Sequence, residues 1–174
     1  MTTALYFITG SPGAGKTTLL KRVVADYYPA LWTGHVDAKG SPGRGTEWIA
    51  LAAHPPAGAP PLLVVDGQER PQLMIQTARE VGLRAFHILL IDCDHEERRR
   101  RLLEDRGQPE LDQRDTYCWA AYLRGQADAL GLEVLDTTRQ DIATSTADLA
   151  ASIVRFAQRV GVMQAIDDTF FSKS

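Results

Sequence analysis

The residues best suited to chemistry stand together near the start of the chain: Gly10-Ser11-Pro12-Gly13-Ala14-Gly15-Lys16-Thr17, a match to GxxxxGK[ST]. Glycines at these positions permit torsions that turn successive N–H groups toward one point, forming a nest for an anion. A helix starting at Lys16 adds the partial positive charge of its N-terminus. Gly10 to Thr18 are therefore predicted to surround the phosphates of a nucleotide, with the Lys16 ammonium at the outer ones. The Thr17 hydroxyl suits Mg²⁺, which keeps several waters and takes few protein ligands beside phosphates. A second oxygen donor for the ion is predicted in Asp66, which ends the apolar run Leu62-Leu63-Val64-Val65.

Positive charge concentrates again in Arg98-Arg99-Arg100-Arg101, followed by Arg106 and Arg114. Four consecutive arginines on one helix point all round it, so most must face solvent, with Arg98 and Arg101 three apart on one side. Arg106 and Arg114 flank the Gly/Pro break Arg106 to Gln113 and are better placed to move.

The elements that must position these groups are legible as an alternation. Leu5 to Thr9, Trp32 to Val36, Leu62 to Val65, Phe86 to Ile91 and Leu132 to Leu135 are short apolar runs, predicted as strands. Helical spacing covers Lys16 to about Tyr28, Glu47 to Ala53, Gln72 to Val81, Asp94 to about Asp105, Asp115 to Leu130 and Ser145 to Val160. Asp94 with Glu97 three residues on has the pattern of a capping box, and Gly131 is a stop signal. Strands apolar on both faces, alternating with helices, predict a parallel sheet covered on both sides, a three-layer α/β/α domain. Ligands in such sheets sit beyond the carboxyl ends of the strands. Five segments qualify: Gly10 to Thr18, Asp37, Asp66 to Arg70, Asp92 to Asp94, and Asp136 to Arg139.

With 174 residues, 44% of them hydrophobic, the chain suits one domain with its own core. A net charge of −3 offers no global basic field for nucleic acid or an anionic membrane surface, which leaves a small molecule as the default partner. Cys93 and Cys118 lie in no metal-binding or disulfide pattern. No apolar stretch approaches the roughly 20 residues of a membrane span and no basic region precedes the first apolar run. A cytoplasmic protein, monomeric or homodimeric, is the expectation.

The order of these motifs resembles the P-loop kinases of the nucleoside monophosphate kinase-like superfamily. The phosphate loop comes first, Asp37 follows the second strand, and Asp66-Gly67-Gln68-Glu69-Arg70 follows the third. An arginine-rich helix and polar break follow the fourth, and Asp136-Thr137-Thr138 the fifth. The chain looks most like the small kinases related to chloramphenicol phosphotransferase, shikimate and gluconate kinases and tunicamycin-resistance-type proteins. The resemblance implies a five-stranded sheet in the order 2-3-1-4-5, ATP as donor, and a LID at about 104–116. It also implies a substrate hydroxyl activated by an aspartate placed like Asp37. Phosphoryl transfer needs alignment and charge stabilisation, and an alcohol must also lose its proton, which a carboxylate within hydrogen-bond reach can accept. His35 shares a strand face with Asp37 and competes for this role; a lone histidine at a strand end is more often packed or hydrogen-bonded, so Asp37 is preferred.

In this reading Lys16, Arg101 and Arg106 stabilise the transferred group, Arg98 joins the nucleotide's ligands, and Thr17 and Asp66 serve Mg²⁺. The acceptor would be met by Asp37, Arg44, Trp48, Arg70 and Arg114, within an excursion at about 38–61 that includes Lys39 and the Pro-rich stretch His54 to Pro61. Trp48 could equally be core, and Trp119 and Tyr122 read as packing. Only about two dozen residues separate Asp37 from the third strand, too few for the full acceptor region of adenylate kinases. A hydroxylated small molecule is therefore preferred as acceptor. A nucleoside or nucleoside monophosphate, its phosphate gripped by Arg44 and Arg70, comes second, and a switch or ATPase without acceptor comes last.

Overall fold

The structure, a computed structural model, describes residues 3–36 and 43–163. Asp37 and Lys39 lie outside the described residues. Five strands, β1 (Ala4–Thr9), β2 (Trp32–His35), β3 (Leu62–Gly67), β4 (Phe86–Asp92) and β5 (Glu133–Asp136), form one parallel sheet in the order β2-β3-β1-β4-β5. Between them run α1 (Lys16–Asp26), α2 (Gly45–Ala53), α3 (Pro71–Glu80), α4 (His95–Arg100), α5 (Arg114–Leu130) and α6 (Ile142–Val160).

The period of two along a strand divides the core. Tyr6 and Ile8 of β1, with Val64, Leu89 and Ile91, pack under α1 and α6 against Leu19, Leu20, Val23, Ile153 and Phe156. Leu5 and Phe7, with Leu63, Val65 and Ile88, face α2 and α3 and meet Trp48, Ile49 and Met74. Leu90 on that second face receives Leu123 and Ala127 of α5. The predicted three-layer arrangement is present. The expectation that every strand is apolar on both faces holds for the central strands β1 and β3 alone in full. At the sheet edges β2 and β5 are mostly exposed or half-buried, because each has a neighbour on one side only.

Several boundaries carry information. Asp94 caps α4 as predicted, accepting from the Glu97 N–H at 2.8 Å, while the Glu97 carboxylate turns to arginines instead of back to the cap. The predicted helix to Asp105 is α-helical only to Arg100. Arg101–Asp105 continue as a π-helical turn in which the Arg106 N–H donates to the Arg101 carbonyl at 3.0 Å, five residues back. A 3-10 turn, Pro109–Leu111, follows within the break. Helix α6 starts earlier than its apolar periodicity, at Ile142, because Asp141 caps it through the Thr144 N–H at 2.7 Å.

One placement is corrected. The Pro-rich stretch His54 to Pro61 does not overhang the carboxyl edge of the sheet. The carbonyl of Pro60 accepts from Thr3 Oγ1 and that of Pro61 from the Ala4 N–H, both at 2.9 Å, so it crosses the amino edge, where β1 and β3 begin. Among the described residues no helix is long and apolar enough to cross a membrane.

Candidate functional site

The loop between β1 and α1 passes close over β4. A Cβ on Gly10 would lie 2.4 Å from the Ile91 carbonyl oxygen, so only glycine fits there. Gly13 and Gly15 hold φ of 79° and 98°, the left-handed region that a side chain would disfavour. The carbonyls from Ser11 to Ala14 each have a donor. Lys16 Nζ reaches Ser11 at 3.0 Å, Arg98 Nη1 reaches Pro12 at 3.2 Å, Cys93 Sγ reaches Gly13 at 3.8 Å and Arg101 Nη1 reaches Ala14 at 3.2 Å. Thus the protein itself supplies the donors that brace the nest from behind.

Arg98 is the main brace. It is 2% exposed; besides Pro12 it donates to Ser11 Oγ, to Asp92 Oδ1 at 2.7 Å and to the Cys93 carbonyl at 2.7 Å. The expected contact of Arg98 with the nucleotide is replaced by a seat beneath the loop, off the cavity lining, where a buried guanidinium needs all these acceptors to be tolerated. Arg101, 17% exposed, joins the loop to the segment after β5. Its guanidinium donates to Ala14, to Thr137 Oγ1 at 2.9 Å and to the Thr137 carbonyl at 2.8 Å, and pairs with Glu97 Oε1 at 2.7 Å. Hydrogen bonds from Arg100 and Arg101 pull the Glu97 carboxyl down to about 2.

At the other end of the loop Asp66, 2% exposed, is a shared acceptor. Thr17 Oγ1 donates to its Oδ2 at 2.5 Å, and His35 Nδ1 lies 2.7 Å from its Oδ1. The register explains this meeting, since His35 pairs with Asp66 across β2 and β3. Burial pulls the Lys16 ammonium down to about 8, an effect that Asp66 opposes and that Arg106 and Arg98 reinforce.

Beside the loop opens a cavity of about 1020 Å³. Gly13 to Leu19 form its floor and His35 one edge. Arg100, Arg101 and Arg106 also line it, as do Gln140, Asp141, Ile142 and Ser145. Lys16, Thr17, Thr18, Arg101 and Arg106 are thus brought together as predicted positions around one space. Arg44, Arg70 and Arg114 do not line it. Arg44 and Arg70 are exposed caps at the starts of α2 and α3, and Arg114 is the exposed first residue of α5. Trp48, predicted as a possible acceptor contact, is core: 6% exposed, with its ring against Gly34, where a Cβ would stand 2.3 Å from Cη2. Trp119 packs on the Leu90, Leu123 and Ala127 cluster as predicted, while Tyr122, predicted as packing too, is exposed and stacks on Trp119 at 5.4 Å.

The wall after β5 was flagged in the sequence only by position. Thr137, buried between Ala14 and Asp92, and the cap of α6 at Asp141 build it; the Asp141-x-x-Thr144 spacing is the signal that finds it. Glu69, likewise unassigned from sequence, accepts from the Gly45 N–H at 2.6 Å and through its carbonyl from Thr9 Oγ1 at 2.8 Å, tying the segment after β3 to α2 and β1.

No family model and no curated protein sequence matches this chain. Solved structures do. A gluconokinase from Sinorhizobium meliloti 1021 is 13% identical with a TM-score of 0.58, covering 92% of this chain and 97% of that one. Shikimate kinase from Acinetobacter baumannii, in complex with shikimate, is 17% identical with a TM-score of 0.52, covering 90% and 94%. An uncharacterized protein from Eubacterium ventriosum is 12% identical with a TM-score of 0.57, covering 87% and 98%. At such identities the likeness is one of architecture, and with the strand order and the phosphate loop it establishes that the chain has the P-loop kinase fold.

Proposed function

We propose that this protein is an ATP-dependent small-molecule kinase that moves the γ-phosphoryl group of ATP to a hydroxyl of its acceptor. The observation that carries the reading is the convergence on one cavity of the preformed nest, Lys16, and the guanidinium groups of Arg101 and Arg106. A preformed set of donors aimed at phosphate oxygens stabilises charge as it develops without reorganising at the moment of transfer. The nest holds the inner phosphates, Lys16 the outer ones, and Arg106 flanks the transferred group, while Arg101 adds positive charge to the same cavity from its seat against Ala14, Thr137 and Glu97.

The donors present fit Mg²⁺. Thr17 and Asp66 offer a hydroxyl and a carboxylate 2.5 Å apart, both hard oxygen ligands, and among the described residues no group of three or more His, Cys, Asp and Glu gathers to form a full protein cage. Such an ion, when bound, neutralises charge between the outer phosphates. Asp37, two residues beyond His35, is assigned as the base that accepts the hydroxyl proton, and Arg44 and Arg70 as acceptor-side cations.

The reading is tested by offering ATP and Mg²⁺ with nucleosides, nucleoside monophosphates, sugars, hydroxy acids and hydroxylated antibiotics. A phosphorylated alcohol is the expected product; steady release of free phosphate with no acceptor modified contradicts the proposal. Lys16 adds a pH signature. Burial holds this ammonium at about 8, and a neighbouring triphosphate favours its charged form. Nucleotide affinity should be level below pH 8 and fall above it by up to about tenfold per unit, since binding must then take up a proton. Calorimetric titrations across that range check the slope.

A further inference from the structure

We infer that His35 is a positioning residue for the divalent-cation site: its ring N–H holds the Asp66 carboxylate in the orientation that pairs with Thr17 and receives the ion accompanying the nucleotide. This rests on the reading of Thr17 and Asp66 as the cation's protein partners.

An ionised carboxylate only accepts hydrogen bonds. Asp66 is almost fully buried, and its two oxygens are divided: Oδ2 takes the Thr17 hydroxyl at 2.5 Å and Oδ1 faces His35 Nδ1 at 2.7 Å. Nδ1 must therefore carry the proton in this contact. Without it, Oδ1 would be a desolvated acceptor lacking that partner, and the carboxylate could rotate to relieve it, carrying Oδ2 away from Thr17.

The imidazole is not placed by the core. Its side chain is 48% exposed, on an exposed edge strand, and borders the phosphate cavity. What fixes it is its backbone. Gly34, the preceding residue, lies so close under the Trp48 ring that no side chain fits between them, and β2 is paired to β3 in the register that sets His35 opposite Asp66. The buried Trp48 thereby serves the site at a distance, by pinning the strand that presents His35. Hydrogen-bonded partners behind a ligating group fix its orientation, and their loss typically weakens metal binding by about 10–100-fold.

The test uses Mn²⁺ as a paramagnetic stand-in for Mg²⁺, titrated by electron paramagnetic resonance into protein saturated with a non-hydrolysable ATP analogue. Variants are His35→Leu, His35→Asn and Thr17→Ala. Asparagine keeps an N–H close to the place of Nδ1; leucine removes it. We expect His35→Leu to weaken Mn²⁺ binding by about 10–100-fold. His35→Asn should stay close to wild type, and analogue affinity in chelator should be unchanged in both. Wild-type Mn²⁺ affinity in His35→Leu overturns the inference, as does an asparagine variant as weak as the leucine one. Should the leucine variant fail to fold, His35→Ala takes its place beside asparagine. If wild type holds no Mn²⁺ that Thr17→Ala releases, the reading of the Thr17–Asp66 pair itself fails, which a defect confined to His35 would not produce.

Discussion

An Asp37→Asn protein should bind ATP with nearly unchanged affinity and turn over about 10² to 10⁴ times more slowly, the usual worth of general-base catalysis. Asparagine keeps the size and most of the hydrogen-bonding capacity of the side chain but cannot take a proton. Asp37 follows in sequence two residues past His35, the last residue of β2, which pairs with Asp66 and borders the phosphate cavity. The loop's carbonyls are held by Lys16, Cys93, Arg98 and Arg101. The two effects should therefore separate: nucleotide affinity by calorimetry stays, while kcat for the phosphorylated acceptor falls. Full turnover in the variant removes Asp37 from the mechanism.

Arg98→Met should cost about 3–5 kcal/mol of stability, because it breaks a buried ion pair and leaves its partners behind. Among the described residues Asp92 would keep Arg124 alone as a cationic partner, its Nη1 3.7 Å from Oδ2, and Ser11, Pro12 and Cys93 would lose a donor under the loop. Arg98→Lys should recover little of this, as one ammonium cannot replace a planar fork that reaches all these acceptors. Urea unfolding of the three proteins measures the loss. A shift below about 1 kcal/mol, the ordinary range for an exposed ion pair, would show that the brace is not energetically coupled to the fold.

These two residues also mark what could be read from the chain. The phosphate loop was legible because its chemistry is local: glycine torsions, a lysine and a hydroxyl within eight consecutive positions, Gly10 to Thr17, between a strand and a helix. Asp66 was legible because it ends an apolar run and opens Asp66-Gly67-Gln68-Glu69-Arg70, the segment that carries the family resemblance; a carboxylate at a strand end alone is as often a cap or loop ligand. The strand order followed from the family resemblance and agrees with the structure.

Arg98 was misassigned because four adjacent arginines are alike in sequence, and only the three-dimensional meeting of Asp92, Cys93 and the loop carbonyls selects which one is buried. Trp48 could be read either as core or as ligand contact. Its partner Gly34 lies on β2 while Trp48 is in α2, and no periodicity reports that approach. The π-helical turn at Arg101–Asp105 has no marker of its own, since Leu102 and Leu103 continue a helical pattern whether the backbone steps by four or by five. The Pro-rich stretch was misplaced because composition marks a turn without saying at which edge of the sheet it lies.

The account stands on the nest as the donor site of a kinase, and the most direct measurement is calorimetric titration of a non-hydrolysable ATP analogue with Mg²⁺ into the wild type and Lys16→Ala. Lys16 is 8% exposed, and among the described residues its ammonium bonds to the Ser11 carbonyl within the loop, so its removal should leave the fold intact. The prediction is saturable binding at one site in the wild type, weakened by at least about tenfold in the variant, in line with the loss of one charge-assisted contact of about 1.5–3 kcal/mol. Equal affinity in the two proteins, or no binding to a folded wild type, would contradict it.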